Sequence, residues 1–333
     1  MKWSAPIVGL GIILVGYTHS LWQLYAAYTV ISIGVSGVSL VSVNVLVSRW
    51  FGEKRGQAVG WLSTGVSLGG FGGPLAAGFL LTNFGWRTVF IILGLSAWAL
   101  LLPILIWMVK DAPLVESRDK VNALFSPGLE AQASPTYLSF TLRQALGTIT
   151  FWLQALALLL VSSAWVGIVT HSVNFLRDRG MSPGGAALGL GLTSAMGMWA
   201  KPLSGYLSDR LSRIALFVGF LLFQAAGVFL ITRMQGEMSA YLALVVLGIG
   251  GGGAVPLRPL LTSQFFGSLQ FGALFGALEL AYGLGATVGP LLAGWVFDQT
   301  GNYTPAFYLF LGAYGLAITS FLLAYYLRPR RNP

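Results

Sequence analysis

The sequence predicts an all-α, polytopic membrane protein with about ten transmembrane helices, and three observations predict it. Of its 333 residues, 56% are hydrophobic and only 9% charged; apolar stretches of spanning length recur; basic residues punctuate the gaps between them. A soluble domain carries roughly 25% charged residues. With 19 Lys and Arg, 10 Asp and Glu and a mean hydropathy of +0.76, this chain cannot coat itself with polar groups. Lipid must be the solvent for most of its surface. The 44 glycines suit helices that approach closely in a bilayer. The absence of cysteine excludes disulfides, thiolate metal sites and cysteine catalysis. No zinc spacing, nucleotide-binding loop or Ser/His/Asp set stands out, so neither a metal, a cofactor nor an enzyme is expected. The net charge of +9 does not point to nucleic acid, because the cations are dispersed between apolar stretches rather than gathered on one face or arm.

A spanning helix takes about 20 mostly apolar residues. Ten stretches qualify: 4–20, 23–48, 56–81, 87–109, 149–174, 184–207, 213–232, 239–264, 270–297 and 304–327. The first is short and the second long, so their boundary near Ser20–Trp22 is soft. Residues 110–148, with Pro113, Pro127, Pro135 and mixed charges, read as a cytoplasmic linker between a four-helix part, 1–109, and a six-helix part, 149–333. With the N-terminus inside, thirteen basic residues fall on the cytoplasmic side, and only Arg87, Arg177, Arg179 and Arg233 fall outside. That asymmetry orients a multi-pass protein of a cell (plasma or inner) membrane with both termini cytoplasmic. Residues 1–20 carry a single Lys, and no small-residue cleavage site is followed by a soluble domain, so they read as a first helix rather than a signal peptide.

The chain repeats itself. A shift of 216 residues carries Gly56, Gly60, Leu68, Gly69, Gly73, Pro74, Leu75, Ala77, Gly78 and Gly85 onto Gly272, Gly276, Leu284, Gly285, Gly289, Pro290, Leu291, Ala293, Gly294 and Gly301. A parallel repeat of this kind occurs in transporter folds made of two six-helix halves. The same shift places the counterparts of 149–207 before residue 1. The N-terminal half is therefore expected to be short by two helices, giving an incomplete 4 + 6 arrangement.

The stretch Gly205-Tyr206-Leu207-Ser208-Asp209-Arg210-Leu211-Ser212-Arg213 reads as a tight inner turn. Gly205 permits close helix approach, Asp209 is expected at the positive N-terminus of the next helix, and Arg210 and Arg213 stay inside. It resembles the loop signature of the major-facilitator transporters. Gly60, Gly69, Gly73-Pro74 and Gly78 look like that family's antiporter-associated motif, but the ninth span repeats them as Gly276, Gly285, Gly289-Pro290 and Gly294. Gly69, Gly73, Pro74, Gly285, Gly289 and Pro290 are accordingly read as a helix-packing and bending device. Arg49-Trp50-Phe51-Gly52 with Arg55-Gly56-Gln57-Ala58-Val59-Gly60 is similar to the monocarboxylate and oxalate–formate branch. The resemblance runs over essentially the whole chain, as the family's helices three to twelve, and implies a secondary transporter with alternating access, working by proton symport or anion exchange.

Three ionisable residues lie within spans: Lys201 in the sixth, Arg258 in the eighth and Glu279 in the ninth. Each costs at least a few kcal/mol to insert and is a functional candidate for that reason. Glu279 stands about nine residues from the inner end, roughly 14 Å deep at 1.5 Å per residue. In the family these spans line the central cavity. Lys201 occupies a place resembling the carboxylate-binding arginine of monocarboxylate transporters, though Lys lacks the planar fork. Four residues earlier, where the family has an aspartate, stands Gly197, and Tyr282 stands where the oxalate–formate relatives have a lysine. The expectation is that Lys201 and Arg258, with Tyr282 nearby, attract a small organic anion while Glu279 pairs with one cation or exchanges a proton. The alternative is that both cations snorkel to the cytoplasm.

Gly248, Gly250, Gly251, Gly252 and Gly253, followed by Pro256 and Pro259, are expected either to open backbone groups to a cavity or to form a kinked packing helix. His19 and His171 read as solvated residues at outer span ends or as pH sensors. Two rival functions stay open: an exporter of drug-like or neutral solutes, and a non-transporting fragment. Because the family's first helix normally faces its seventh across the cavity, low or no transport is expected from the chain as written. The partners expected are a small anionic solute, the lipid bilayer and protons.

Overall fold

The computed structural model describes residues 4–51, 54–105, 140–267 and 269–328. All regular structure among them is helical. Contacts divide the chain into two compact units, Met1–Gly52 with Leu68–Ser134, and Glu53–Ser67 with Pro135–Pro333. Residues 53–67 thus group with the C-terminal part rather than with 1–109. Most of the expected linker, 106–139, lies outside the described residues.

The first unit holds α1 (Ser4–Gly16), α2 (Leu21–Gly37), α3 (Leu40–Trp50), the second half of α4 (Arg55–Asn83) and α5 (Trp86–Pro103). The soft boundary near residue 20 is drawn by a capping box: Ser20 Oγ accepts from the Gln23 N–H, and the Gln23 side chain accepts from the Ser20 N–H. Over the expected span 23–48, Leu21–Asn44 is long and apolar enough to cross a membrane, but its helix is interrupted. Gly37 is a poor helix former, and Ser39 then caps a new start by accepting from the Ser42 N–H, so α2 stops and α3 begins within one apolar run. Helix α1 packs between α2 and α5. Glycine makes this possible at Gly34, where a Cβ would sit 2.7 Å from the Val8 nitrogen. Trp98 on α5 donates its indole N–H to the Pro6 carbonyl at 3.0 Å.

The second unit holds the first turns of α4, the short α6 (Leu142–Leu146), α7 (Ile149–Asp178), α8 (Pro183–Ser208), α9 (Arg213–Thr232), α10 (Glu237–Phe266), α11 (Phe271–Thr300) and α12 (Thr304–Tyr326). Thr148, Ser182 and Ser212 cap α7, α8 and α9. Helix α10 packs on α8 and α9, while α7 packs on α11 and α12. The glycine run serves packing. Gly248 faces the Thr193 backbone and Gly252 the Gly197 backbone on α8, Gly250 faces Gln224 on α9, and α10 continues through Pro256 and Pro259. Buried Gln224 ties the group together, accepting from the Tyr314 hydroxyl at 2.9 Å and donating to the Gly250 carbonyl at 3.4 Å.

Among the described residues, seven helical segments are long and apolar enough to cross a membrane. Helix α1, at 13 residues, reaches about 20 Å, short of a hydrocarbon core of about 30 Å. Helix α11 shows the two-faced pattern of a membrane helix. Leu280, Leu284, Leu291 and Trp295 are exposed along one side, and Leu278, Gly285, Gly289, Ala293 and Val296 are buried along the other.

Candidate anion site

Helices α8, α10 and α11 position the three intramembrane charges. Glu279 and Tyr282, three apart, share the face of α11 that meets Arg258 of α10. Arg258 Nη1 lies 3.4 Å from Glu279 Oε1, and the Arg258 guanidinium carbon lies 3.9 Å from the centre of the Tyr282 ring. Arg258 is only 8% exposed. Its Nε and Nη1 make no hydrogen bond among the described residues, and neither does Glu279 Oε1. The pair is therefore an ion pair without a hydrogen bond between these atoms.

Lys201 on α8 is equally buried and lies within electrostatic reach of Arg258. Its ammonium donates to Ser67 Oγ on α4. Ser67 is a partner of Lys201 that the sequence analysis did not single out. The available signal was its position seven residues, or two turns, beyond Gly60 on the same helix face.

The inner turn sits elsewhere, at the opposite end of the α4–α8 seam. Gly205 packs against Gly56 and Gly60, where a Cβ at residue 60 would lie 2.9 Å from the Lys201 carbonyl oxygen and 3.1 Å from the Gly205 Cα. Asp209 corrects an expectation. It ends α8, and its carboxylate serves α4: Oδ1 accepts from the Gly56 N–H at 2.9 Å and Oδ2 from the Gln57 N–H at 3.0 Å. The N-terminus of α9 is already capped by Ser212, which leaves Asp209 free for the orphan donors of α4. Arg210 stacks over Tyr206 at 4.3 Å, and Arg213 Nε donates to the Ser208 carbonyl at 3.3 Å. At the start of α4, Arg55 lies 5.0 Å over the Phe271 ring. Burial, and then the like charge of Arg213, pull its guanidinium down to about 10, so it stays protonated at neutral pH.

Gly285 and Gly289 abut the α7 backbone at Leu159 and Ser163. Gly69 and Gly73 are different: among the described residues nothing lies within 4 Å of a Cβ built at either, so no partner for their expected packing role stands there. The side chain of Pro74 lies outside the described residues. His171 is not simply solvated. Its Nε2 lies 3.1 Å from the Pro290 carbonyl, and its ring is 4.9 Å from Tyr303. His19 lines a cavity of about 410 Å³ in the first unit with Arg87 and Trp86. A second, of about 540 Å³, lies between Asn174, Asp178 and Tyr303 in the second unit. Neither cavity includes Lys201, Arg258 or Glu279.

This chain is 25% identical over 319 residues to monocarboxylate transporter 13 of Bos taurus, covering 95% of this chain and 71% of that one. It is 26% identical to the oxalate:formate antiporter of Oxalobacter formigenes, over 89% of this chain and 69% of that one. Against a benzoate transport protein of Acinetobacter baylyi the identity is 22%, over 96% and 72%. Among solved structures, the E. coli fucose:proton symporter superposes with a TM-score of 0.70 at 16% identity, over 97% of this chain and 82% of that one. The human organic anion transporter MFSD10 gives 0.69 at 17%, over 96% and 76%. At such identities these two show the fold alone. The family model described as Major Facilitator Superfamily matches residues 2–270 and 199–333, and the chain, a multi-pass membrane protein of transporter and not enzyme type, belongs to that superfamily.

Proposed function

We propose that the protein is a secondary active transporter of small organic anions, monocarboxylates or dicarboxylates, moved by proton symport or anion exchange with alternating access. The observation that carries this reading is the charge balance of the α8–α10–α11 cluster. Two buried cations, Lys201 and Arg258, face one carboxylate, Glu279. With Glu279 ionised, the cluster holds one positive charge in excess, and two guanidinium donor atoms have no hydrogen-bond partner among the described residues. Unpaired charge in a low-dielectric interior is costly until an anion completes it. One carboxylate restores neutrality. If Glu279 takes up a proton, the excess rises to two and a dianion fits, which links proton uptake to substrate charge. The names of the relatives, which include monocarboxylate, oxalate:formate and benzoate transport, support the same substrate class. In this reading the chain crosses a cell membrane about ten times, in a 4 + 6 arrangement with both termini cytoplasmic.

The test is uptake of labelled lactate, formate, oxalate and benzoate into proteoliposomes, under a pH gradient or with a counter-anion inside. Saturable uptake that falls at least tenfold in Lys201→Gln and in Arg258→Gln is expected. Saturable uptake of these anions that is indifferent to both substitutions keeps the substrate class and removes the cluster as its site, and no saturable uptake of any of them rules the reading out. Saturable transport of a neutral solute, equally indifferent, moves the protein to the exporter class.

A further inference from the structure

We propose that Ser67 and Lys201 act together as a two-donor fork for one carboxylate group, which makes Ser67 a substrate-contacting residue. The proposal rests on the organic-anion reading above.

Hydroxyls inside helices ordinarily donate to the carbonyl three or four residues back. Helix α4 does this at the two preceding hydroxyls: Ser63 donates to Val59 O at 2.8 Å and Thr64 to Gly60 O at 3.0 Å. Ser67 departs from the pattern. Its oxygen accepts from the Lys201 ammonium, and its own hydrogen has no acceptor among the described residues. A neutral hydroxyl is a modest partner for a buried ammonium, whereas a carboxylate makes the stronger, charge-assisted bond. Lys201 is also the cation without a counter-charge in the cluster, because Glu279 is held by Arg258.

A lone lysine is a point charge with no planar fork. The hydroxyl beside it changes that. The ammonium has hydrogens beyond the one given to Ser67, and the hydroxyl has its own. Rotation of the hydroxyl lets two donors on neighbouring heavy atoms meet one planar group, as the two nitrogens of a guanidinium do. Each oxygen of a single carboxylate takes one donor. The pair thus favours a planar carboxylate over an anion that accepts at one point.

Equilibrium dialysis of the purified chain in detergent tests this, with labelled lactate, formate, oxalate and benzoate and with thiocyanate as a one-point competitor. Ser67→Ala is expected to raise the Kd of the best-bound carboxylate about tenfold, to change thiocyanate competition much less, and to leave the unfolding temperature unchanged. Ser67→Thr, which keeps the hydroxyl, is expected to restore binding. Should the alanine form be unstable, Ser67→Cys keeps the volume while donating poorly and is expected to lose affinity in the same way. Equal weakening of carboxylate and thiocyanate, or no change in either, overturns the fork while leaving the anion reading intact. The absence of saturable binding of any of these carboxylates overturns the anion reading, and the fork falls with it.

Discussion

Helices α4 and α11 carry the same glycine pattern 216 residues apart and use opposite ends of it. In α4 the early glycines are engaged: Gly56 and Gly60 pack on α8 at Gly205 and Lys201, while Gly69 and Gly73 face open space. In α11 the early Gly276 faces open space, while Gly285 and Gly289 press on the α7 backbone. The difference shows that the motif encodes a capacity for close approach and not the identity of the neighbour. The partner of the late glycines is α7 and that of the early ones is α8.

The largest effect is expected at the α7–α11 seam. A Cβ at Gly289 meets Ser163 backbone atoms, which cannot turn aside as a side chain can. Gly289→Leu is therefore expected to cost more than about 3 kcal/mol, because the two helices must separate and lose the packing along their length. The bond between His171 and Pro290 spans the same seam and goes with it. Thermal unfolding in detergent reads this as a fall of many degrees or as loss of the folded protein. A Gly289→Leu protein as stable as the parent breaks the comparison at its strongest point.

Much of this was legible in the sequence because it is local or periodic. Apolar runs marked the helices, and Arg258 and Glu279 were conspicuous as charges inside apolar stretches. The features that escaped are non-local or ambiguous. The α2–α3 break depends on Gly37 and Ser39 outweighing an apolar run that continues through them. Asp209 serves the amides of Gly56 and Gln57, some 150 positions away, and no pattern around residue 209 distinguishes them from the amides of α9. Ser67 is a single hydroxyl in a glycine-rich helix, and only the approach of α8 shows that it meets Lys201. The glycine run of α10 admitted two readings, since glycine serves an open backbone and a tight interface equally well.

A middle-sized effect is expected at Asp209, the engaged end of the α4 pattern. Two charge-assisted bonds to orphan amides resemble a strong N-cap, whose loss costs about 0.5–2 kcal/mol. Asp209→Ala is expected to release the first turn of α4 from α8. Hydrogen exchange at the Gly56 and Gln57 amides then quickens by about tenfold, while protection in α11 holds. Unchanged exchange at those amides removes Asp209 from the seam. Equal loosening in α11 makes the two ends parts of one cooperative unit, against the independence drawn above.

The smallest effect, and the one most specific to the comparison, is expected at Gly69 and Gly73. With no neighbour to strike, an added methyl removes only the helix penalty of glycine, so Gly69→Ala and Gly73→Ala are expected to be neutral or to stabilise by up to about 1 kcal/mol each. The equivalent changes in α11, Gly285→Ala and Gly289→Ala, are expected to destabilise. The sign is what matters, because the substitution is chemically identical at positions the repeat superposes. If the alanines at 285 and 289 stabilise as well, the close approach of α11 to α7 does not set the sign, and the comparison between the two copies ends at their sequences.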